Sequence, residues 1–513
     1  MPLAESPFSC RLLDGLFWLS CVLVFPSYWF IDRLLSCAVV TSIDRSCGVV
    51  RRILCLVFGV PLFLLLFVLS APLCVLGLLL WSPLHQIRRP FSYQRSSSDA
   101  PERTVRGDCS IIFISANLCL LPDGLARFSN LSHTQRRVTT ISKLLCEPTG
   151  LAQENGEDSL PVCTEDVLPM IEMPHKVSDG GAGNGGDNSL FEVSLGFPPD
   201  ADFICLQEVF DGRASRKLRR CLGSSFPYIL YDVGPSGPRG CGFKFFNSGL
   251  FLASRHPLLN AKYYIYPNGR GEDALAAKGL LCVKVCLGST DQKQSIVGYI
   301  NCTHLHAPES DAAIRCDQMS LILQWVSDFQ AENSQDGELV AFDVLCGDLN
   351  FDNCSSVIHS SLESSHPQSC DPSDIIIDLR CSRDDCLEQK HTLFSMYSDP
   401  CRDCAGRDRP GAVGTLLRQE LLYHEAVNTP ARLKRTLLSD SERRIYVASP
   451  IPQDNNDGHW TGRRIDYIMY REAEDLLPVV VNKFQFITRL AGLSDHIPVS
   501  LHLSSWLPES TAL

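Results

Sequence analysis

The sequence predicts an α+β fold, a two-layered β core flanked by helices, standing behind an N-terminal membrane module. Three observations carry this. The apolar excess is concentrated in the first 90 residues; from Cys109 onward short apolar runs alternate with turn residues; and several polar clusters fall at the ends of those runs.

The N-terminal module (1–90) holds two hydrophobic segments. Residues 16–31 are apolar but only 16 long, with Pro26 inside. As a helix that stretch reaches about 24 Å, short of a hydrocarbon core of about 30 Å. Residues 53–81 carry no charge and include Pro61 and Pro72, which is long enough to span or to enter and return. Arg33, Arg51 and Arg52 lie between the segments, and Arg88 and Arg89 follow the second. Two re-entrant hairpins would keep all five arginines on one face; two full spans would also place both termini on one side. Glu5 and Asp14 argue against a cleaved leader or a transit peptide.

Residues 91–108 (FSYQRSSSDAPERTVRGD) read as a polar linker. The region 109–505 then supplies the strand-like runs CSIIFIS, FICLQ, SGLFLAS, LLCVKVCL, SIVGYINCTHL, LVAFDVLCGD, RRIDYIMY and IPVSLHLS. One helix is expected over about 311–330, where Ile314, Met319, Ile322, Leu323, Val326 and Phe329 recur at helical spacing. Two stretches look inserted: about 147–199, acidic and rich in glycine (DGGAGNGGDN), and about 355–390, rich in Ser, Asp and His. Residues 506–513 are a tail.

Composition narrows the function. The 513 residues are 45% hydrophobic and carry a net charge of −12. Affinity for nucleic acid comes mostly from Lys and Arg, so this balance argues against a nucleic-acid partner. The 24 cysteines are scattered, and without a secretory leader they read mainly as reduced, small buried hydrophobes. Cys381, Cys386, Cys401 and Cys404 have a loosely zinc-like spacing without tight knuckle geometry.

The chemistry lies in the polar clusters. Asn117 follows one strand, Glu208 a second, His304 and His306 a third, and Asp348 and Asn350 a fourth; Asp466 sits within a strand and Asp495–His496 precede the last one. A carboxylate is a hard oxygen ligand suited to Mg²⁺. A histidine whose tautomer is fixed by a carboxylate can take a proton from water, and Asn or His donors can stabilise a phosphoryl transition state. Any one cluster alone reads more simply as a structural histidine or a surface charge; the order N…E…H…D-x-N…D…D-H along one chain is far more specific. With QEVF, GDLN, RIDYI and SDHIPV, it resembles the endonuclease–exonuclease–phosphatase superfamily, whose deoxyribonuclease-I-like fold is a four-layered α/β/β/α sandwich.

Within that superfamily the chain resembles the membrane-anchored neutral sphingomyelinases, through FPSYWFIDRLLS, LLLWSPLHQIRRPFSY, ANLCLLPDGLARFSNL, ICLQEVFD, DALAAKG, GYINCTHLHAPE, AFDVLCGDLNFDNCSS, GRRIDY and FITRLAGLSDHIPV. Inositol polyphosphate phosphatases fit poorly at GRRIDYIM, and abasic-site endonucleases do not fit the charge or the membrane module. The resemblance implies a Mg²⁺-dependent phosphodiesterase, with Mn²⁺ as a substitute ion, that hydrolyses sphingomyelin in the bilayer to ceramide and phosphocholine. It implies Glu208 as the principal metal ligand with Asn117 beside it and Asp495 helping to hold metal or water. His496 would be the base, oriented by Asp466; Asp348 and Asn350 would position water and phosphoryl group; His304 would stabilise or protonate near the leaving oxygen. It further implies a switch pair, Asp273 and Lys278, and activation by anionic phospholipids at Arg33, Arg51, Arg52, Arg88 and Arg89. Cys37, Cys47 and Cys55 are candidates for palmitoylation. The insert of about 50 residues resembles the mitochondrial and endoplasmic-reticulum branch, with Golgi or plasma membrane as the alternative. The competing expectations are a same-fold phosphoesterase for another lipid or nucleic acid, and a catalytically dead membrane scaffold.

Overall fold

The computed structural model describes residues 3–46, 48–96, 104, 107–146, 190–235, 237–239, 242–353, 388–449 and 461–506. The elements that place the site are helices α1 (Arg11–Ala38), α2 (Val60–Ile87), α3 (Asp123–Ala126), α4 (Thr134–Cys146), α5 (Gly212–Leu222) and α6 (Ala312–Asn333). The strands are β1 (Ser92–Arg95), β2 (Asp108–Asn117), β3 (Phe191–Ser194), β4 (Phe203–Gln207), β5 (Tyr228–Tyr231), β6 (Phe251–Ser254), β7 (Leu258–Ile265), β8 (Gly279–Ser289), β9 (Ser295–His304), β10 (Leu339–Asp348), β11 (Asp466–Tyr470), β12 (Val479–Ile487) and β13 (Val499–Trp506).

Two large sheets form, in the orders β1-β5-β6-β4-β2-β13-β12-β3 and β11-β10-β9-β8-β7, beside a small two-stranded ribbon pairing Gly237–Arg239 with Gly242–Lys244. Strand alternation explains why they stack. Phe113, Phe203, Ile300 and Val344 point into a shared inter-sheet core. Their neighbours Ile114 and Ile204 face outward and are covered by Val138 and Ile141 of α4 and by Ala214 and Leu218 of α5. On the far side Leu280 and Leu345 are covered by Met319, Ile322 and Val326 of α6. The result is the helix–sheet–sheet–helix layering expected. Strands buried on both faces read as continuous apolar runs, which is why they were visible in the sequence.

Both edge strands of the first sheet lie in segments expected to be irregular. Residues 92–95 of the expected linker pair with β5, Ser92 opposite Tyr231. Residues 191–194, inside the expected insert, pair with β12, Phe191 opposite Phe484. Edge strands are short and polar, so they carry little periodic signal. Glu388–Lys390, at the end of the second inserted stretch, form a 3₁₀ turn whose buried Glu388 receives a 2.8 Å bond from Arg315.

The hydrophobic module departs from expectation in length. α1 runs 28 residues rather than 16, about 42 Å at ~1.5 Å per residue. Arg52–Ile87 form a second helix of 36 residues, with a π turn at Cys55–Gly59. Each segment is one continuous helix, both long and apolar enough to cross a membrane. The two pack antiparallel: Ser27 bonds Ser70 at 2.6 Å, and a Cβ on Gly77 would lie 2.9 Å from Leu23 Cβ. One face of α1 lies on the catalytic domain. Gly124 of α3 fits against Leu35, its N–H donating to Asp32 Oδ1 at 2.7 Å, and Arg213 stacks over Phe25 at 5.3 Å.

Candidate active site

Strand register assembles the site. In the parallel pair β9–β10, His304 lies opposite Asp348; in the antiparallel pair β10–β11, Asp348 lies opposite Asp466. β9 and β10 approach closely because Gly347 has φ +145° and no side chain; a Cβ there would sit 1.9 Å from Thr303 O. From the other sheet, β2 and β4 run parallel with Asn117 opposite Gln207, which delivers Asn117 and the following Glu208. Two site residues, Glu208 (φ 58°) and Asn350 (φ 57°), adopt the left-handed conformation. Such strain persists where neighbours enforce it. Leu120 N–H holds Glu208 O at 3.0 Å, and Asn350 N–H donates to Asp348 Oδ1 at 2.9 Å.

The side chains converge on a cleft of about 1280 Å³ lined by Glu208, Asp273, Lys278, His304, Asp348, Asn350, Asp495 and His496, among others. Asn117 Nδ2 donates to Glu208 Oε1 and to Asp348 Oδ2, 3.0 Å each, while its Oδ1 accepts from Cys119 N–H at 3.0 Å. Asn117 therefore presents its amide nitrogen to the carboxylates. His304 Nε2 lies 4.0 Å from Glu208 Oε1 and 3.6 Å from Asp348 Oδ2. His496 directs Nδ1 to Asp466 Oδ2 at 2.8 Å, and its Nε2 lies 3.9 Å from Asp348 Oδ2. Two ligand-capable groups result, Glu208–His304–Asp348 and Asp348–Asp466–His496. The first, rich in oxygen and open to the cleft, suits a hard divalent cation. Asp495 Oδ1 is buried without a hydrogen-bond partner, a further oxygen suited to a cation or its water.

Burial and charge tune these groups apart. Burial, reinforced by Asp495, pushes Glu208 up to about 7. Burial, with Lys278 nearby, drops His304 to about 3, so it is a neutral hydrogen-bonding imidazole. For His496, burial works downward, but Asp466, Asp348 and Asp495 outweigh it and raise the value well above that of a free histidine.

Three positioning residues escaped sequence reasoning. Ser494 Oγ donates to Asn117 O at 2.8 Å and accepts from His496 N–H at 3.2 Å, tying β2 to the histidine loop. Thr415 Oγ1 accepts from the N–H groups of Ile465 and Asp466. Gln419 Nε2 donates to Asp495 Oδ2 at 2.9 Å, and Gln419 O accepts from Asn130 Nδ2 at 2.7 Å. Asn130 also accepts from Ser42 N–H, in the turn of the membrane module, at 2.7 Å. Serine and threonine caps of this kind have no periodic signature; for Ser494 the motif block SDHIPV was the only trace.

Asp273 and Lys278 form a 2.9 Å ion pair at the cleft wall. Lys278 also donates to Leu305 O, and Asp273 accepts from Ala307 N–H at 2.6 Å. His306 sits with this pair, 3.2 Å from Asp273, rather than with the catalytic group. The arginines whose side chains are described differ in their surroundings. Arg33 pairs with Asp32 and Asp123, Arg88 is buried against Asp232, and Arg89 bonds Ser6 O at 3.0 Å. Arg52 is exposed, and the side chain of Arg51 lies outside the description. Of the loosely spaced cysteines, Cys401 is buried and Cys404 exposed; Cys381 and Cys386 fall outside the described residues. Of the palmitoylation candidates, Cys37 and Cys55 are half-buried and Cys47 lies outside. One pleat beneath the site, Cys205, Cys302 and Cys346 cluster in the core.

Comparison with known proteins agrees with this architecture. Residues 12–87 match the neutral sphingomyelinase N-terminal transmembrane region, and residues 188–496 match the endonuclease/exonuclease/phosphatase family. The chain is 42% identical to sphingomyelin phosphodiesterase 5 of Danio rerio, over 98% of each protein. It is 39% identical to that of Mus musculus, over 98% of this chain and 94% of that protein. Identity to sphingomyelin phosphodiesterase 3 of Mus musculus is 34%, over 98% of this chain and 99% of that one. A membrane-associated phosphodiesterase with a deoxyribonuclease-I-like catalytic domain, the chain belongs to the neutral sphingomyelinase family.

Proposed function

We propose that the protein hydrolyses sphingomyelin at a membrane surface to ceramide and phosphocholine, with Mg²⁺ as cofactor and Mn²⁺ as a substitute. The observation that carries the mechanism is the buried His496–Asp466 pair, 2.8 Å apart, facing the Glu208–His304–Asp348 cluster across one cleft. The substrate is supported by the likeness to sphingomyelin phosphodiesterases over nearly the whole chain.

Glu208, with Asp495 and Asp348 near it, would hold the ion, and Asn117 would keep Glu208 and Asp348 in place. The ion supplies positive charge that neutralises the phosphoryl group and offsets the carboxylates raising His496. His496 Nε2 takes a proton from water as its oxygen bonds to phosphorus and the bond to the ceramide oxygen breaks; the departing oxygen takes its proton from cleft water, and His496 then releases its own to solvent. Asp466 holds the tautomer that leaves Nε2 free. Asp348 and Asn350 orient the water and phosphoryl oxygens. His304, neutral, donates to a phosphoryl or leaving oxygen rather than acting as an acid. The helix pair confines the cleft to the plane of its substrate, which raises effective concentration. Anionic phospholipids as activators, with exposed Arg52 as a contact, and residence in mitochondrial or endoplasmic-reticulum membranes complete the reading.

The test is phosphocholine release from sphingomyelin vesicles at neutral pH, with Mg²⁺, with EDTA and with His496→Ala, each with and without phosphatidylserine. Magnesium-dependent release lost in the variant supports the reading. Release that survives both EDTA and His496→Ala refutes it.

A further inference from the structure

α4 and α5 lie side by side and parallel on the outer face of the first sheet. At their N-terminal ends Gln135 Nε2 donates to Asp211 Oδ1 at 2.9 Å. Along their length Lys217 bonds Gln135 O at 3.3 Å and also the Thr139 hydroxyl, and Cys221 Sγ lies 3.4 Å from Ser142 O. At their C-terminal ends Cys146 Sγ and Cys221 Sγ stand 3.0 Å apart. The register is not incidental. Val138, Ile141 and Leu145 of α4 and Ala214, Leu218 and Leu222 of α5 are buried in one cluster, which fixes how far one helix sits along the other. Both thiols are partly accessible, unlike the fully buried Cys205, Cys302 and Cys346.

We propose that Cys146 and Cys221 form a redox-active dithiol, closed to an intramolecular disulfide by a small-molecule disulfide of the glutathione class. This inference is independent of the substrate assignment. One protein thiolate attacks the small disulfide, breaking its S–S bond and expelling one small thiol; the second protein thiolate then attacks the mixed disulfide and expels the other. The protein loses two electrons and two protons, and both pass to the two small thiols. The sulfurs need to close by about 1 Å to reach the ~2.05 Å bond length. In a reducing compartment the pair stays open; oxidation closes it.

The bond joins positions 75 residues apart in sequence, across the segment that holds the insert, β3, β4 and most of α5. A crosslink over so long a loop restricts the unfolded chain more than the folded one. It sits at the end of the helix pair opposite Asp211 and the Glu208 loop, so it stabilises the domain without moving the catalytic groups.

The test uses the full chain in detergent micelles, equilibrated with glutathione disulfide or with reduced glutathione, then alkylated and mapped by mass spectrometry. Exposed Cys404 serves as an internal control. The expected result is a linked pair of peptides containing Cys146 and Cys221, 2 Da lighter than the two thiols. An unfolding midpoint at least about 2 °C higher in the oxidised form is also expected, absent in both Cys146→Ser and Cys221→Ser. Basal phosphodiesterase activity is unchanged in Cys221→Ser. Independent alkylation of both cysteines after oxidation overturns the proposal. So does glutathione retained on either one, or an oxidative shift that persists in Cys221→Ala.

Discussion

His496 Nδ1 lies 2.8 Å from Asp466 Oδ2, and both side chains are buried. The pair is anchored from outside the imidazole: Asp466 N–H donates to Thr415 Oγ1 at 3.1 Å, and Leu416 forms a β-bridge to His496. Asp466→Asn preserves the shape but presents an amide to Nδ1, which favours the wrong tautomer. The expected loss in kcat is on the order of 10²–10⁴-fold, with KM little changed. Steady-state phosphocholine release with Asp466→Asn checks this; unchanged kcat would remove Asp466 from the mechanism.

Glu208→Gln removes one charge from the cluster Glu208–His304–Asp348 while leaving a side chain of the same shape on a left-handed backbone. Mg²⁺ prefers carboxylate oxygens, so affinity falls by at least about tenfold, a loss of ~1.4 kcal/mol. Asn117→Ala leaves the charge but frees Glu208 and Asp348 from the donor they share, and weakens binding less. Isothermal titration of both variants with Mg²⁺ gives the order directly.

The candidate site residues could be picked out together because β-strands end at a common edge, so a polar residue closing an apolar run points to the same place as its counterparts. Register then did the rest, setting His304 opposite Asp348 and Asp348 opposite Asp466. The edge strands were illegible for the opposite reason: SYQR at 92–95 has one face half-exposed and no apolar alternation. α1 was underestimated because Asp14, Asp32 and Arg33 sit inside it. Those charges are met by the catalytic domain or by neighbouring residues: Asp32 accepts from Gly124 N–H, Arg33 pairs with Asp123 and Asp14 accepts from Ser6 Oγ. Such partners are distant or irregular in sequence and leave no trace in a hydropathy pattern. The chain Ser42–Asn130–Gln419–Asp495 is likewise invisible, since its hydrogen-bonded neighbours lie up to 289 positions apart.

That chain leads to a prediction. Gln419→Ala deprives Asp495 Oδ2 of its donor while Oδ1 already has no partner. An orphaned buried acceptor costs about 1–3 kcal/mol, so the variant should melt lower. With Mg²⁺ present the deficit shrinks if Asp495 faces the ion. Thermal melts with and without Mg²⁺ test this, and an equal deficit in both argues that Asp495 lies outside the metal shell.

Asp273 carries a pH signature. Burial pushes its carboxyl upward, but Lys278 and His306 outweigh that and hold it well below the usual carboxylate range. A group with a depressed folded value adds stability that is present above its unfolded value, ~3.9, and lost as pH falls through the folded one. Asp273→Asn should therefore destabilise most at neutral pH, by about 3 kcal/mol as Lys278 is left buried without its counter-charge. The difference from the parent protein should narrow below about pH 4. Urea unfolding at pH 7 and pH 3.5 measures both ends; a gap that does not narrow excludes an ionic origin.

Arg88 was one of five arginines expected at the anionic lipid surface, yet its side chain is 2% exposed and lies 2.5 Å from Asp232. It also donates to Asp232 O and Ser92 Oγ, fastening the end of α2 to β1 and to the loop after β5. A guanidinium so enclosed, with only Nη2 hydrogen-bonded and Nε and Nη1 buried, has no exposed face for a lipid phosphate. Arg88→Ala removes the hydrogen bonds to Ser92 and Asp232, but the Asp232 side chain is 41% exposed and water takes over part of its solvation, so the cost should be about 1–3 kcal/mol. Arg52→Ala, on the exposed surface of its helix, should leave stability within about 0.5 kcal/mol. If lipid contact is electrostatic, Arg52→Ala should lower binding to anionic vesicles by about 1 kcal/mol, a roughly fivefold loss. Melting curves and vesicle co-sedimentation on the same two variants separate the roles. A stable Arg88→Ala protein that has lost vesicle binding would return Arg88 to the lipid surface.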